Sequence, residues 1–264
     1  MKKIFIMHFA LILITATSII TAQSEYPDLF SDRLGVTQGP ILIPQNLFQI
    51  ESGVSYQDQK FKVKNSNYEI ENLKLGSTLF RYGINEKIEL RFGGEFFSGR
   101  TTINDVTSDV QGFQSIFVGS KIQLWKNNNL VSNAGIILEF GLPFGSENLR
   151  PDRIEPGIIL TLNKYFLDTL ALGINLGATN NSNLGKNIYS FSTLLNYELT
   201  KYMGVFAEYY SNVISNELAQ HNFDCGFTYR VRKNIQIDCS AGSIIARGNS
   251  NWSGKFGLSL RLPY

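Results

Sequence analysis

From Phe48 to its last residues the chain alternates between large apolar and small or polar side chains. Phe48, Ile50, Val54 and Tyr56 enclose Gln49, Glu51 and Ser55. Ile88, Leu90, Phe92 and Phe96 enclose Glu89, Arg91, Gly93 and Glu95. Later runs repeat the scheme, with Ile136, Leu138 and Phe140 around Glu139, Ile158 and Leu160 after Glu155, and Val205, Ala207 and Tyr209 around Glu208. The last two runs set Ile235, Ile237 and Cys239 against Asp238, and Phe256, Leu258, Leu260 and Leu262 against Lys255 and Arg261. Period two over such runs predicts strands with two unlike faces. Between Leu73 and Tyr82 both parities are apolar, which predicts a bulge.

The pattern gives about twelve strands of roughly nine to eleven residues, the length of a tilted membrane-crossing strand. Short turns at 85–87, 126–129, 164–168, 200–202 and 232–234 alternate with longer polar stretches at 58–67, 98–110, 143–153, 179–186, 211–220 and 247–251. Short turns at one end and long loops at the other are the habit of outer-membrane barrels. A soluble β-sandwich shares the alternation, but its strands are shorter. Aromatic residues also gather at strand ends here, as in an interfacial girdle. The expected fold class is therefore all-β, a single transmembrane antiparallel up-and-down barrel. Its apolar face meets lipid and its polar face the lumen, since in lipid only a closed sheet leaves no backbone group unpaired.

That register sends Glu51, Glu89, Arg91, Glu95, Lys121, Glu139, Glu155, Glu208, Asp238, Lys255 and Arg261 inward, with Arg81 beside them. Two readings stay open. The charges form an ion-pair lattice that fills the barrel, or they line a polar path and select solutes by charge.

Residues 1–22 read as a secretion signal: Lys2 and Lys3, an apolar run from Ile4 to Ile20, and a small-residue site ending at Ala22. Residues 23–45 then form a periplasmic segment and 46–264 the barrel. Of 24 Lys+Arg and 22 Asp+Glu, removal of Lys2 and Lys3 leaves 22 against 22. This balance speaks against nucleic acid as a partner. No metal or cofactor motif is present, so no cofactor is expected. Cys225 and Cys239 fall on the apolar register of neighbouring strands, where a cross-strand disulfide is an open possibility. His221, beside Asn222, is the one histidine after the signal and lacks a recognisable serine-nucleophile motif, so the chain is not expected to be an enzyme.

Several stretches resemble a bacterial outer-membrane family assigned to transport in the meta-pathway of phenol degradation. They are Ser31-Asp32-Arg33, Thr37-Gln38, Pro44, and Phe48-Gln-Ile-Glu-Ser-Gly53. Phe80-Arg-Tyr-Gly-Ile84 running into Ile88-Glu-Leu-Arg91, Gly141-Leu-Pro-Phe-Gly-Ser146 and Ile235-Gln-Ile-Asp-Cys-Ser-Ala-Gly242 are similar too. Leu34 stands where the family usually has Pro, and Asn46 where it has Gly. The resemblance implies a Gram-negative outer-membrane channel or transporter for small, apolar or aromatic solutes. Its partners would be membrane lipid, the solute, and the barrel-assembly machinery through a C-terminal strand ending at Tyr264. The long loops would gate it, and Asp32 and Arg33 would cap or enter the lumen. The alternatives are a structural barrel with loop-borne binding and, behind it, a lipid hydrolase using His221.

Overall fold

The structure, a computed structural model, describes residues 27–33, 35–63, 65–215, 217, 219–244 and 250–263. Residues 1–22, expected to be a signal, and Tyr264 lie outside the described residues. Twelve antiparallel strands follow one another in chain order: β1 Phe48–Val63, β2 Ser66–Asn85, β3 Ile88–Ile103, β4 Val106–Lys126, β5 Asn133–Gly141, β6 Glu155–Leu167, β7 Leu170–Asn181, β8 Lys186–Glu198, β9 Met203–Ile214, β10 Gln220–Arg232, β11 Ile235–Ile244 and β12 Ser250–Leu262. Each pairs with its neighbour, and β1 pairs with β12 to close the barrel. The closing seam sets Phe48 opposite Leu262 and Val54 opposite Phe256.

Burial is inverted relative to a water-soluble protein. Outward Leu90, Phe92, Ile158, Leu176, Leu195 and Phe256 are 45–51% exposed, a continuous apolar belt that water would not tolerate but lipid requires. Rings stack along this face, Phe48 on Phe80 and Phe80 on Phe92, each at 5.9 Å. Inward Gln49, Glu51, Arg81, Glu89 and Lys121 are fully buried.

Strand length departs from the alternation reading. β5 to β12 span 9–13 residues, but β1 to β4 span 16–21. The polar stretches at 58–67 and 98–110 are strand ends around tight turns rather than loops. Beyond the bilayer both faces of the sheet meet water, so ladder pairing continues without apolar alternation. Cross-strand pairs such as Arg100 Nε to Asp109 Oδ1 at 2.9 Å replace it. The bulge falls at Leu75–Thr78, with Gly76 at φ 59°. Cys225 and Cys239 are both free: Cys225 stands opposite Ala241 and Cys239 opposite Phe227, a diagonal offset too long for a disulfide.

Candidate functional site: a strap across the barrel lumen

Residues 27–47 run through the barrel interior from the short-turn end. At the mouth, Arg230 Nη1 donates to Asp28 Oδ2 at 2.6 Å, Arg261 Nη2 donates to the Pro27 carbonyl, and Leu29 N–H bonds the Lys233 carbonyl at 2.8 Å. At the far end, Asn46 N–H bonds the Gly83 carbonyl at 2.8 Å, and the chain passes into β1.

Between these anchors the strap meets a charge cluster on β1 to β5. Arg81, with no exposed side-chain surface, grips Glu89 with Nε at 2.7 Å and Nη2 at 2.9 Å. Its Nη1 donates to Glu51 at 2.8 Å, and Nη2 also reaches the Ile41 carbonyl of the strap at 3.1 Å. Arg91 Nη1 donates to Asp32 Oδ2 at 2.7 Å, its Nη2 to Gln38 Oε1 at 2.6 Å, and its Nε to Glu139 at 3.2 Å. Lys121 Nζ reaches Asp32 Oδ2 at 2.5 Å and the Gly39 carbonyl at 2.8 Å. Charges this deep are tolerable only when paired and hydrogen-bonded.

Burial alone would push the Asp32 carboxyl upward, but Arg81, Lys121 and Arg91 outweigh it and hold the group well below its ordinary 3.8. A lowered folded-state value stabilises above the unfolded value and fades as pH falls beneath it. The Asp32→Asn variant is therefore expected to loosen the strap by about 3–5 kcal/mol. Its deficit relative to the parent chain should stay constant from neutral pH down to about 4 and shrink only below that. Protease sensitivity of the strap across pH checks this. A gap that closes between pH 7 and 5 contradicts it.

On the opposite wall, Glu208 of β9 accepts the Val36 N–H at 2.8 Å and the Thr37 N–H at 2.5 Å. Thr37 Oγ1 donates to Ser192 Oγ of β8 at 2.8 Å. Asn175 of β7 clamps Gln38, accepting its N–H at 2.6 Å and donating to its carbonyl at 2.9 Å. Bonded to β1–β4 on one side and β7–β9 on the other, the strap crosses the lumen. Leu29, Leu42, Ile43 and Leu47 of the strap and inward Ile137, Leu194 and Phe206 are apolar side chains buried inside the barrel.

The site candidates thus divide. Glu51, Arg81, Glu89, Arg91, Lys121 and Glu139 gather around Asp32, and Glu208 stands across from them. Arg33 lies 3.9 Å from Asp238. Glu95 pairs with Lys74, and Lys255 with Asp224, above the strap. Arg261 sits at the short-turn mouth. Glu155 is apart, bonded to Ser182 N at 2.6 Å beside the loop of 182–185. His221 is on the outer face with its Nδ1 2.6 Å from Tyr209 Oη. Sequence reasoning missed Lys74, whose parity the bulge hides. It also missed Gln38, Thr37 and Asn175, which carry no charge to mark them.

The family described as "Putative MetA-pathway of phenol degradation" matches residues 31–262. The chain belongs to this family. The match begins within the strap, so the family's defining region includes the lumen segment as well as the wall. Among solved structures, the COG4313 outer membrane channel from Pseudomonas putida F1 superposes with a TM-score of 0.56 at 13% identity, over 92% of this chain and 100% of that one. The translocator domain of the autotransporter NalP from Neisseria meningitidis gives 0.56 at 10%, over 81% and 88%. The NanC porin gives 0.50 at 12%, over 80% and 98%. No curated protein matches the chain in sequence. The shared architecture is an outer-membrane barrel, and that is where this family member resides. Its Asn46, at φ 62°, occupies the left-handed region that Gly adopts freely and Asn tolerates, which explains the departure from Gly there.

Proposed function

We propose that the protein is a passive outer-membrane channel for small solutes whose lumen is closed by the strap and opens when the strap shifts. The carrying observation is the manner in which the strap is held. Between its ends it is tied to both walls by side-chain hydrogen bonds and ion pairs; among the described residues its one isolated β-bridge to the wall is Gln45–Gly83, and backbone bonds hold the two ends at Leu29 and at Asn46 and Leu47. A segment held by side chains can leave without breaking the barrel ladder. Membership in a family named for phenol degradation supports small, apolar or aromatic solutes, and the COG4313 structure is itself described as a channel.

The fold alone does not decide, because a translocator domain shares it. The second reading, a structural or surface-binding barrel, draws on the same packed lumen and on the hairpins β1–β2 and β3–β4 that rise beyond the wall. A lipid-hydrolase role gains no support at His221, whose imidazole is engaged by Tyr209 rather than by a serine. In planar bilayers the full chain is expected to show brief openings from a closed baseline. A barrel that stays insulating in every state, strap removed included, favours the structural reading.

A further inference from the structure

Above the strap, on the side of the long hairpins, lies a cavity of about 400 Å³ bounded by β1–β4, β12 and the strap. By residue count its lining is neutral, since Asp32, Glu51 and Glu95 face Arg33, Lys74 and Lys255. By accessibility it is not. In three ion pairs at its wall the cation is more exposed than the anion. Lys74 is 43% exposed against 6% for Glu95, Lys255 is 24% against 0% for Asp224, and Arg33 is 16% against 5% for Asp238. Asp32 and Glu51 also line the space, but their side chains are only 1% and 0% exposed and are engaged by Arg81.

A solute in this space therefore finds the ammonium and guanidinium ends of these three pairs more accessible than their carboxylates. Arg33 Nη1 donates to the Ser77 carbonyl at 3.2 Å and its Nε is buried 3.9 Å from Asp238, so what Arg33 offers the space is charge rather than a free donor. Beside the cations, Leu79 and Phe117 supply an apolar wall, and Ser77 and Ser115 add polar positions. Cations on one side, an aromatic and an aliphatic surface on another, and room for a few heavy-atom groups suit a compact ring bearing a negative charge.

We propose that this vestibule binds small aromatic carboxylates, with the carboxylate among Lys74, Lys255 and Arg33 and the ring against Phe117 and Leu79. The proposal rests on the channel reading for its purpose, but binding is measurable without conduction. It also turns the expectation of apolar cargo toward acidic aromatic compounds, the class that oxidation of aromatic rings and side chains produces. Because Arg33 belongs to the strap, the solute would touch the closing segment itself.

The probes are benzoate, benzyl alcohol and benzylamine, alike in size and charged −1, 0 and +1 at neutral pH. Saturation-transfer NMR against the purified full chain in micelles, with empty micelles subtracted, reads binding directly. Benzoate is expected to bind, benzyl alcohol weakly and benzylamine not at all. Lys74→Gln and Lys255→Gln should each weaken benzoate about tenfold, as for loss of one charge-assisted bond. Glu95→Gln releases Lys74 from its partner and should tighten benzoate, a gain that misfolding cannot imitate. Equal binding of benzyl alcohol, preference for benzylamine, or indifference to Lys74→Gln and Glu95→Gln overturns the proposal. Benzoate binding with a barrel that never conducts would keep the site and reject the channel.

Discussion

Deleting residues 27–46 is expected to convert a mostly closed barrel into one that conducts steadily. The wall should survive, because β1 begins at Phe48 and its ladders to β2 and β12 run from Phe48 onward. Much of the wall cluster also survives, since Arg81 keeps Glu51 and Glu89, and Arg91 keeps Glu89 and Glu139. Lys121 loses both of its partners, Asp32 and the Gly39 carbonyl, and becomes a solvated cation in the pore. Leu29, Leu42 and Ile43 leave with the strap, and Leu47, Ile137, Leu194 and Phe206 remain inside the lumen, so water-filled cross-section is added where the strap stood. Conductance should rise to a sustained level, with retained heat-modifiable migration showing that the barrel still folds. A folded barrel that remains insulating would mean that wall side chains, not the strap, close the lumen.

Arg81→Ala is expected to cost about 3–5 kcal/mol of folding stability, the usual penalty for stripping one partner from a buried ion pair. Its guanidinium serves Glu51, Glu89 and the Ile41 carbonyl at once, and no water reaches it to soften the loss. The physical cause is the uncompensated carboxylates rather than the missing arginine. Arg81→Met combined with Glu51→Gln and Glu89→Gln should therefore recover much of the deficit, because the charges that remain, Arg91 and Lys121 against Asp32 and Glu139, balance one another. Urea unfolding in lipid vesicles reads both variants. If the single substitution costs less than about 1 kcal/mol, the pair is behaving as a solvated surface bridge and the buried cluster is misassigned.

The wall was legible because lipid on one side and charge on the other impose period two on every crossing strand. Glu89, Arg91, Glu139 and Glu208 could be placed inward from their neighbours alone. The strap was legible only at Asp32 and Arg33, as charged residues in a Pro- and Gly-rich stretch, and through the family likeness. Its course was not, because Val36, Thr37 and Gln38 bind in large part through backbone groups that any residue carries, and the side chains of Thr37 and Gln38 carry no charge to mark them. Ile137, Leu194 and Phe206 broke the expectation of a polar interior. They face inward and are buried in a lumen that the strap occupies, a setting visible only once the strap is in place. Strand lengths beyond the bilayer escaped for the converse reason: with water on both faces, no alternation remains to be read.

The central claim is that the strap closes the channel, and a reversible cross-link tests it most directly. Thr37 Oγ1 and Ser192 Oγ are 2.8 Å apart, close to the separation of about 2 Å between bonded sulfurs. Thr37→Cys with Ser192→Cys, in a background where Cys225 and Cys239 are replaced by Ala, fixes the strap to β8 when oxidised. In a single bilayer, the oxidised protein is predicted to stay closed and reductant to bring back the openings of the full chain. Identical openings before and after reduction, with the cross-link verified, would contradict the account.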